Sequence, residues 1–462
     1  MEYSLRLSGD QHRLLHDHLY PGDGNESVAL ALCGRRNGDS RHIFAVQDIT
    51  LIPHDECEER TPQRVIWPTH YVDTWLEKAS KHKLAIMKIH SHPTGCDVFS
   101  SFDDAADKSF LGSVQSVTEC GLPHLSAVML PDGRIFARTY EASETFNRVE
   151  MVCVAGDDIS YWPIEHDFTL PEFVLRHAQA FGEGTTKLLQ RLKIVVVGCS
   201  GTGGPLITQL VRLGVGTIVL IDPDKVEEKN LNRIPFTSMN DAQQGRYKVD
   251  VIAEKINGLG LNTTVIPIPE YLETPTAIKA AAECDMAFGC LDSWSGRDTL
   301  NRLTTYYSLP YVDVGVQLKA MPEGGIDQVM GAIHYLQPGK SSLKSRGVYD
   351  SEDVRAELVK RNDPEEYQKL LKEKYIRGVQ EDKPAVISIN TQMAAMAVNE
   401  FLARIHVFRY EPNIEYAAQW LALHEGNIFR EPEHKFKTCP ILTKDHGRGD
   451  CIPLLNRPDL SE

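Results

Sequence analysis

The chain has 462 residues and a formal net charge of −15. This length predicts two or three domains with their own cores, and the acidic charge without a run of Lys or Arg excludes electrostatic capture of nucleic acid. The ten cysteines are scattered, and neither a signal peptide nor an apolar run of ~18 residues is found, which predicts a cytoplasmic protein with no membrane partner.

The first part of the chain combines short apolar runs with one helical pattern. Four runs predict strands of a small α/β domain, at residues 26–34, 42–52, 84–92 and 125–131. Residues 68–83 place apolar side chains on one face of a helix. A polar stretch with Asp and Pro at 155–172 predicts a join between domains. We therefore assign residues 1–155 to a first domain.

The second part of the chain, which we assign to a domain at 168–462, changes pattern. An apolar strand at 192–198 is followed by a glycine-rich turn, a helix and a second strand at 217–222. This βαβ unit predicts a mostly parallel sheet with a right-handed crossover. The runs at 263–270 and 285–292 predict further strands of the same sheet.

A long charged segment at about 317–385 interrupts this pattern. It shows little β character and predicts a single helix at 365–375, before an apolar helix at 384–405. We call it the crossover segment. Loops of this length in compact domains are usually functional lids or partly disordered, and we expect one of the two here.

Two histidines, a serine and an aspartate follow the third apolar run. His90 and His92 are two residues apart at the end of a strand, so their imidazoles point to one side. A hydrolytic zinc needs three protein ligands and an open position, and Asp103 is the third ligand if the loop folds back. Ser100 would then donate to a developing oxyanion. The alternative is a helix capping box formed by Ser100 and Asp103.

The complete H-x-H-x7-S-x2-D pattern resembles the JAMM/MPN metalloprotease family. The resemblance implies an α/β domain in which His90, His92 and Asp103 bind zinc. In the family a glutamate on an early strand is the general base, which implies Glu26 for that role here. The stretch ESVALALCG departs from the family pattern at Ala29 and Ala31.

A glycine turn, VVVGCSGTGGP, lies between the buried strand at 192–198 and the following helix. Gly198, Gly201 and Gly203 permit close approach of the backbone to a phosphate, and the helix N-terminus favours an anion. Such a turn alone is compatible with NAD or FAD. Ser200 occupies the position of the second glycine of a dehydrogenase turn, which disfavours a dinucleotide.

Further polar residues follow this turn at strand ends and in the next loops. They are Asp222, Asp224, Asn230, Arg233, Lys248 and Asp292. In this order they resemble the ThiF/MoeB/HesA family and the ubiquitin-activating enzymes, over roughly 170–405. The resemblance implies a Rossmann-like adenylation domain that binds ATP through this whole set. The glycine turn, Arg233 and Lys248 would contact phosphates, Asp222 the ribose, and Asp292 a magnesium ion.

Members of that family also take an arginine from the partner subunit. Arg176, in RHAQAFGEG just before the first strand, is the candidate, and this role would require a homodimer. The alternative is a solvent-exposed helix arginine.

The two resemblances share one kind of substrate. Both families act on the glycine-ended tail of a ubiquitin-like protein, which predicts a peptidase or isopeptidase and an adenylyltransferase of one bacterial modifier pathway. A conjugating enzyme is a further expected partner, and such pathways include antiphage defence. Two alternatives remain: sulfur-carrier activation for cofactor or cysteine synthesis, or an inactive JAMM half that only binds the modifier.

The second domain lacks the thiolates of a structural zinc site. Relatives carry two C-x-x-C motifs, but the corresponding positions here hold Ser342, Ser345, Cys439 and Leu442. We therefore predict no structural zinc in this half. There is no cysteine between Cys290 and Cys439, so the crossover segment offers no thiol for a thioester. The adenylate passes to another protein, a tail cysteine (Cys439 or Cys451) acts, or one of the two serines replaces a natural cysteine.

Overall fold

The computed structural model describes residues 1–166, 169–321, 323–373, 375–376, 378 and 384–460. They form two compact units. The first contains residues 1–166 with 305–308 and 444–460, and the second contains the remainder.

The first unit is built on a mixed sheet with helices on both faces. Its elements are β1 (Glu2–Ser8), α1 (Gly9–Leu19), β2 (Val28–Asn37), β3 (Arg41–Leu51), β4 (Glu59–Thr61), β5 (Arg64–Ile66), α2 (Asp73–His82), β6 (Ala85–Ser91), α3 (Ser101–Thr118), β7 (His124–Met129), β8 (Ile135–Tyr140), β9 (Phe146–Arg148), β10 (Met151–Ala155) and β11 (Ile159–Pro163). The nine-stranded sheet has the order β11-β10-β1-β3-β2-β6-β7-β8-β9, and β4 pairs with β5 as a separate hairpin.

The two faces of this sheet carry different cores, and strand β6 shows how they are divided. Its residues Ala85, Met87 and Ile89 belong to the core that also contains residues of α1. Ile86 belongs to the second core, which contains residues of α2 and α3. Because side chains alternate along a strand, Lys88 and His90 face the α2 and α3 side.

The four runs that predict strands in this unit correspond to β2, β3, β6 and β7, so the α/β class is confirmed. The helix expected at 68–83 begins with a 3-10 turn at Thr69–Val72 and continues as α2.

The C-terminal residues 444–460 belong to the first unit, whereas the sequence-based division placed them in the second domain. They follow β2: the backbone N–H of Gly34 donates to Gly447 O at 3.0 Å, and that of Asp450 donates to Arg35 O at 2.6 Å. A Cβ at Gly34 would lie 2.2 Å from the Gly447 carbonyl oxygen, so only glycine permits this approach. Backbone pairing of this kind has no side-chain pattern, which explains why the sequence did not indicate it.

The second unit contains the predicted parallel sheet. Its elements are α4 (Leu175–Arg191), β12 (Lys193–Val197), α5 (Gly203–Arg212), β13 (Thr217–Ile221), α6 (Met239–Gln243), α7 (Lys248–Asn257), β14 (Thr264–Ile268), α8 (Pro275–Ala282), β15 (Met286–Gly289), α9 (Trp294–Tyr307), β16 (Tyr311–Ala320), β17 (Ile326–Leu336), α10 (Ser351–Asn362), α11 (Pro364–Lys372), α12 (Ile387–Ile405), β18 (Ala418–Ala422) and β19 (Asn427–Glu431). The strand order is β14-β13-β12-β15-β16-β17-β18-β19.

The first five strands of that order are parallel, and the last three pairings are antiparallel. Strand β12 is central, with β13 on one side and β15 on the other. The chain therefore changes direction across the sheet beside β12, and in open α/β sheets ligands bind at such a switch point.

The expectation for the crossover segment is wrong for much of its described part. Residues from 317 onwards continue β16 and form β17, a long antiparallel pair, and α10 precedes the expected helix α11. The outer half of β17 is exposed, so it lacks the apolar alternation that would have predicted a strand. Residues 379–383 of the crossover segment lie outside the described residues.

Within the described part of the chain, no helix has the length and apolar character needed to cross a membrane.

Candidate active sites in the two units

The three predicted metal ligands converge in the first unit. His90 lies near the end of β6, His92 directly follows that strand, and Asp103 lies in the first turn of α3. Nε2 of His90 is 3.0 Å from Asp103 Oδ1, and Nε2 of His92 is 3.6 Å from Asp103 Oδ2. One potential ligand atom from each residue lies within 4.8 Å of the other two, and all three residues are buried.

The chemistry of these donors fits a cation. Nδ1 of His92 lies 2.7 Å from the Cys96 carbonyl oxygen, so in the neutral ring it holds the proton and Nε2 presents a lone pair. That lone pair faces His90 Nε2 at 3.1 Å. A carbonyl partner of this kind fixes the tautomer of metal-binding histidines. Burial acts to raise the pKa of Asp103, but the two histidines beside it hold the pKa well below its usual range.

Ser100 forms the capping box that was the alternative reading of this motif. Its Oγ accepts the backbone N–H of Asp103 at 3.1 Å and donates to Asp103 Oδ2 at 2.7 Å. The two readings are therefore compatible, because the cap orients the carboxylate that faces the histidines. The Ser100 hydroxyl is therefore linked to the cluster by its hydrogen bond to Asp103.

Glu26 is buried just before β2 and shares a cavity with His90 and Asp103. Burial raises the pKa of Glu26 to about 7, and the nearby His92 partly opposes this rise. A carboxyl group with a pKa near neutrality is suited to accept and return a proton.

The cavity beside this cluster has a volume of about 450 Å³. Its polar end is formed by Glu26, Lys88, His90 and Asp103. Its other walls come from the β4–β5 hairpin, α2 and α3, and are largely apolar, including Val65, Trp67, Leu76, Phe102, Phe110 and Val117. An apolar cavity with a few convergent polar groups is the usual form of a ligand site.

The glycine turn of the second unit follows β12 and opens α5, as predicted. Gly198 has a φ of +89°, which favours glycine. A Cβ at Gly203 would lie 1.9 Å from the Gly198 carbonyl oxygen, and one at Gly201 would lie 2.4 Å from Nδ2 of Asn390. The half-buried Ser200 accepts the backbone N–H of Gly204 through its carbonyl at 2.8 Å.

Asp222, Asp224 and Lys248 form one charged group beside this turn. Asp222 directly follows β13 and is buried, and its Oδ1 accepts the backbone N–H of Asp224 at 2.9 Å. Nζ of Lys248 donates to Asp224 Oδ2 at 2.7 Å and lies 3.8 Å from Asp222 Oδ1. Burial raises the pKa of Asp222, and Lys248 partly opposes this effect.

Arg233 also lies at the turn, because its Cδ is 3.0 Å from the Cβ position of Gly201. Asn230 is buried and its Oδ1 accepts the backbone N–H of Glu227 at 3.1 Å, which is a local capping contact. Asn390, near the start of α12, was missed by sequence reasoning. The available signal was weak, because Asn390 is one of several polar residues near the start of this helix.

The two remaining predicted residues are exposed. Asp292 follows β15, whose carboxyl end lies at the same sheet edge as those of β12 and β13. Arg176 lies in the first turn of α4. Ser342 and Ser345 contact each other: the backbone N–H of Ser345 donates to Ser342 Oγ at 3.1 Å.

The folds and sites together define a two-domain class of protein, in which an α/β unit with a His–His–Asp cluster precedes a parallel-sheet unit with a phosphate-type glycine turn. Residues 174–441 match the ThiF family, which is more than half of the chain, so the chain belongs to the ThiF family. Residues 10–139 match the family described as prokaryotic homologs of the JAB domain.

Several curated proteins resemble parts of the chain. The adenylyltransferase and sulfurtransferase UBA4 of Meyerozyma guilliermondii is 35% identical over 133 residues, 29% of this chain and 31% of that protein. Ubiquitin-like modifier-activating enzyme 5 of Culex quinquefasciatus is 28% identical over 166 residues, 33% and 39% of the two chains. The SAMP-activating enzyme E1 of Haloferax volcanii is 31% identical over 130 residues, 28% and 47%.

The matches thus span less than half the length of these relatives. Among solved structures, E. coli MccB with ATP is similar at 19% identity and a TM-score of 0.44, over 61% of this chain and 76% of that one.

Proposed function

We propose that this chain is a bifunctional enzyme acting on a ubiquitin-like modifier. Its JAB-like unit cleaves a peptide or isopeptide bond after the modifier tail, and its ThiF unit adenylates the C-terminal carboxylate of the modifier. The observation that carries the first activity is the buried convergence of His90, His92 and Asp103 at the polar end of a cavity that also contains Glu26.

For hydrolysis, the two imidazoles and the Asp103 carboxylate are the zinc ligands. A zinc ion held by these three residues would supply a Lewis acid that activates water. Glu26 takes a proton from the water and returns it to the leaving amine, a task for which its position in the cavity is suited. Ser100 orients Asp103 through the capping box, in which its hydroxyl donates directly to this ligand.

The cavity receives the part of the substrate next to the bond that is cut. Because its polar end contains Glu26 and two of the ligands, any group that fills it lies beside the attacked carbonyl. Its apolar walls favour an aliphatic or aromatic side chain of the substrate over a charged one.

For adenylation, the glycine turn and the N-terminus of α5 bind the phosphates of ATP, together with Arg233 and Lys248. Asp222 and its neighbours Asp224 and Asn230 hold the ribose end, and Asp292 holds magnesium. The modifier carboxylate attacks the α-phosphorus, the bond to the bridging oxygen breaks, and pyrophosphate leaves with its electron pair. Arg233, Lys248 and the magnesium ion would stabilise the negative charge that develops on the α-phosphate and on the leaving pyrophosphate.

Arg176 adds a further cation from a second copy of the chain, so we propose a homodimer. Its exposed position in α4 supports this role, because it is available to a partner. A conjugating enzyme or another acceptor protein takes the adenylate, since the crossover segment has no cysteine.

The matched relatives support activation of a ubiquitin-like protein, because one is named ubiquitin-like modifier-activating enzyme 5 and another is named SAMP-activating enzyme E1. The name of UBA4 also includes sulfurtransferase, which favours sulfur-carrier activation as the second candidate function. Product analysis separates the two: a conjugate to a protein amine supports modification, and a thiocarboxylate at the modifier C-terminus supports sulfur transfer.

The proposal is tested with the full chain in two assays. Purified protein is expected to contain one zinc per chain by elemental analysis and to cleave a fusion after the glycine end of a modifier. It is also expected to exchange pyrophosphate into ATP only when a modifier with a free C-terminal carboxylate is present. A zinc-free protein that only binds the modifier would sink the peptidase, and NAD binding without exchange would sink the adenylation.

A further inference from the structure

A buried group of charges lies directly behind the His–His–Asp cluster. Lys88 precedes His90 by two residues on β6, and Asp107 follows Asp103 by four residues on α3. Nζ of Lys88 contacts Oδ1 of Asp107. Strand and helix are therefore joined by two successive pairs, His90 with Asp103 and Lys88 with Asp107.

The spacing of the two pairs matches on both elements. Two residues of a strand span about 6.6 Å, and four residues of a helix span about 6 Å. Each pair can therefore form only when α3 has one particular position along β6. If the helix moved by one turn, Asp103 would lie opposite Lys88 instead of His90.

Asp107 is held from two strands. Its side chain is fully buried, and that of Lys88 is 7% exposed. Nη2 of Arg138, on β8, donates to Asp107 Oδ2 at 2.7 Å, and the Arg138 guanidinium also contacts Asp104. Burial acts to raise the pKa of Asp107, but Lys88 and Arg138 hold it below its usual value. The carboxylate is thus charged and bound between β6 and β8.

The rest of the contact between β6 and α3 is apolar and less directional. Ile86 packs in the same core as Val114 and Phe110 of α3. Apolar contacts depend on buried area and tolerate small displacements. A buried ion pair adds little net stability, because desolvation offsets the attraction, but it penalises any arrangement that separates the charges.

We propose that Lys88, Asp107 and Arg138 are positioning residues, which fix α3 against β6 and so determine where the Asp103 carboxylate meets His90 and His92. The inference rests on the proposed metal site. It assigns a purpose to three buried charged side chains that are not needed as ligands, and it explains why charges interrupt an apolar strand and an otherwise packed helix face.

The test measures metal affinity of the full chain, with Co²⁺ as the probe and a chelator as competitor. The Asp107→Asn variant keeps all three ligands but removes the charge that holds Lys88 and Arg138. Groups bonded directly to metal ligands contribute about 10- to 100-fold to affinity. Asp107 acts one contact further out, through Lys88 and Arg138, so we expect a loss at the lower end, about 10-fold. The visible absorption of bound Co²⁺ should also change, because it reports the geometry of the ligands.

The matched control is Asp104→Asn, which removes a neighbouring acid of α3 that contacts Arg138 but is half exposed. We expect its Co²⁺ affinity to stay within about twofold of the wild type, as for most surface changes. If Asp107→Asn does not fold, Asp107→Glu is decisive, because it keeps the charge but is one methylene longer. It should fold with a somewhat lower thermal unfolding midpoint, because the extra methylene lies in a fully buried site, and it should bind Co²⁺ more weakly.

Folded variants at Asp107 with wild-type affinity and wild-type Co²⁺ absorption would overturn the positioning role alone. A wild-type chain that takes up no Co²⁺ would overturn the metal site and this inference with it.

Discussion

The backbone N–H of Cys199 donates a hydrogen bond of 2.7 Å to Oδ2 of Asp222. This bond joins the glycine turn after β12 to the end of the neighbouring strand β13. The buried carboxylate therefore shapes the turn in addition to the role in ribose binding that we propose for it. Under the proposed function, phosphate binding by the turn and ribose binding would both depend on this one side chain.

We predict that Asp222→Ala weakens ATP binding by about tenfold or more, because hydrogen bonds to a charged group contribute about 1.5–3 kcal/mol. Calorimetric titration of each protein with ATP measures this loss of affinity. Asp250→Ala is the control, since Asp250 is exposed on α7 two residues after Lys248. Equal ATP affinity in Asp222→Ala and the wild type would contradict the assignment.

Glu26→Gln should retain zinc and lose cleavage. The change removes the base but keeps the size of the side chain, and general bases contribute roughly 10²- to 10⁴-fold in rate. Elemental analysis and a fusion-cleavage assay measure the two properties on the same sample. Pyrophosphate exchange on the unchanged ThiF unit serves as the internal control.

The rate of cleavage should also depend on pH through Glu26. The raised pKa of about 7 applies to the metal-free protein, and a bound cation lowers it because it favours the carboxylate. The base is active only when deprotonated, so the rate should rise with pH and reach half its plateau below pH 7. If the Glu26→Gln variant still cleaves the fusion, and its residual rate depends on pH as the wild-type rate does, another group is the base.

The cavity beside the cluster predicts that substrate binding can be weakened without loss of zinc. Ala106 lines it from α3 and is only half buried, so Ala106→Trp should fill the space without disturbing the core. We expect a raised KM for fusion cleavage with unchanged zinc content. Ala105→Trp, at the adjacent exposed position, is the matched control and should behave as the wild type. Unchanged KM in both variants would exclude the cavity from substrate binding.

Much of both sites could be predicted because it depends on local rules. The alternation of β6 placed His90 and His92 on one side, and the carboxyl ends of neighbouring parallel strands brought the glycine turn and Asp222 together. The packing of Asn390 against Gly201 and the pairing of Lys88 with Asp107 join residues distant in sequence. No periodicity reports such contacts.

The sequence-based expectations for the crossover segment and for residues 444–460 differ from the structure for related reasons. The β16–β17 pair is long and partly exposed, so its polar outer part resembles a charged loop in sequence. Residues 444–460 follow β2 through backbone groups, which every residue type except proline provides. Sequence patterns report which side chains are buried together, and neither of these features depends on that.

The last prediction concerns Arg176, which the structure leaves exposed in α4. If a second copy supplies it, Arg176→Ala and Asp222→Ala should each lose most pyrophosphate exchange at limiting ATP, because each lacks one component of every site. Mixed and allowed to exchange subunits, they form mixed dimers in which one of the two sites has its own Asp222 and the partner's intact arginine. Random pairing should then restore about a quarter of the wild-type activity.

The control is a mixture of Arg176→Ala with a double variant carrying both changes, which contains no complete site in any pairing. Pyrophosphate exchange is measured after the two variants are co-refolded or co-expressed. If both variants are folded and dimeric but activity does not recover, the arginine acts within its own chain or not at all.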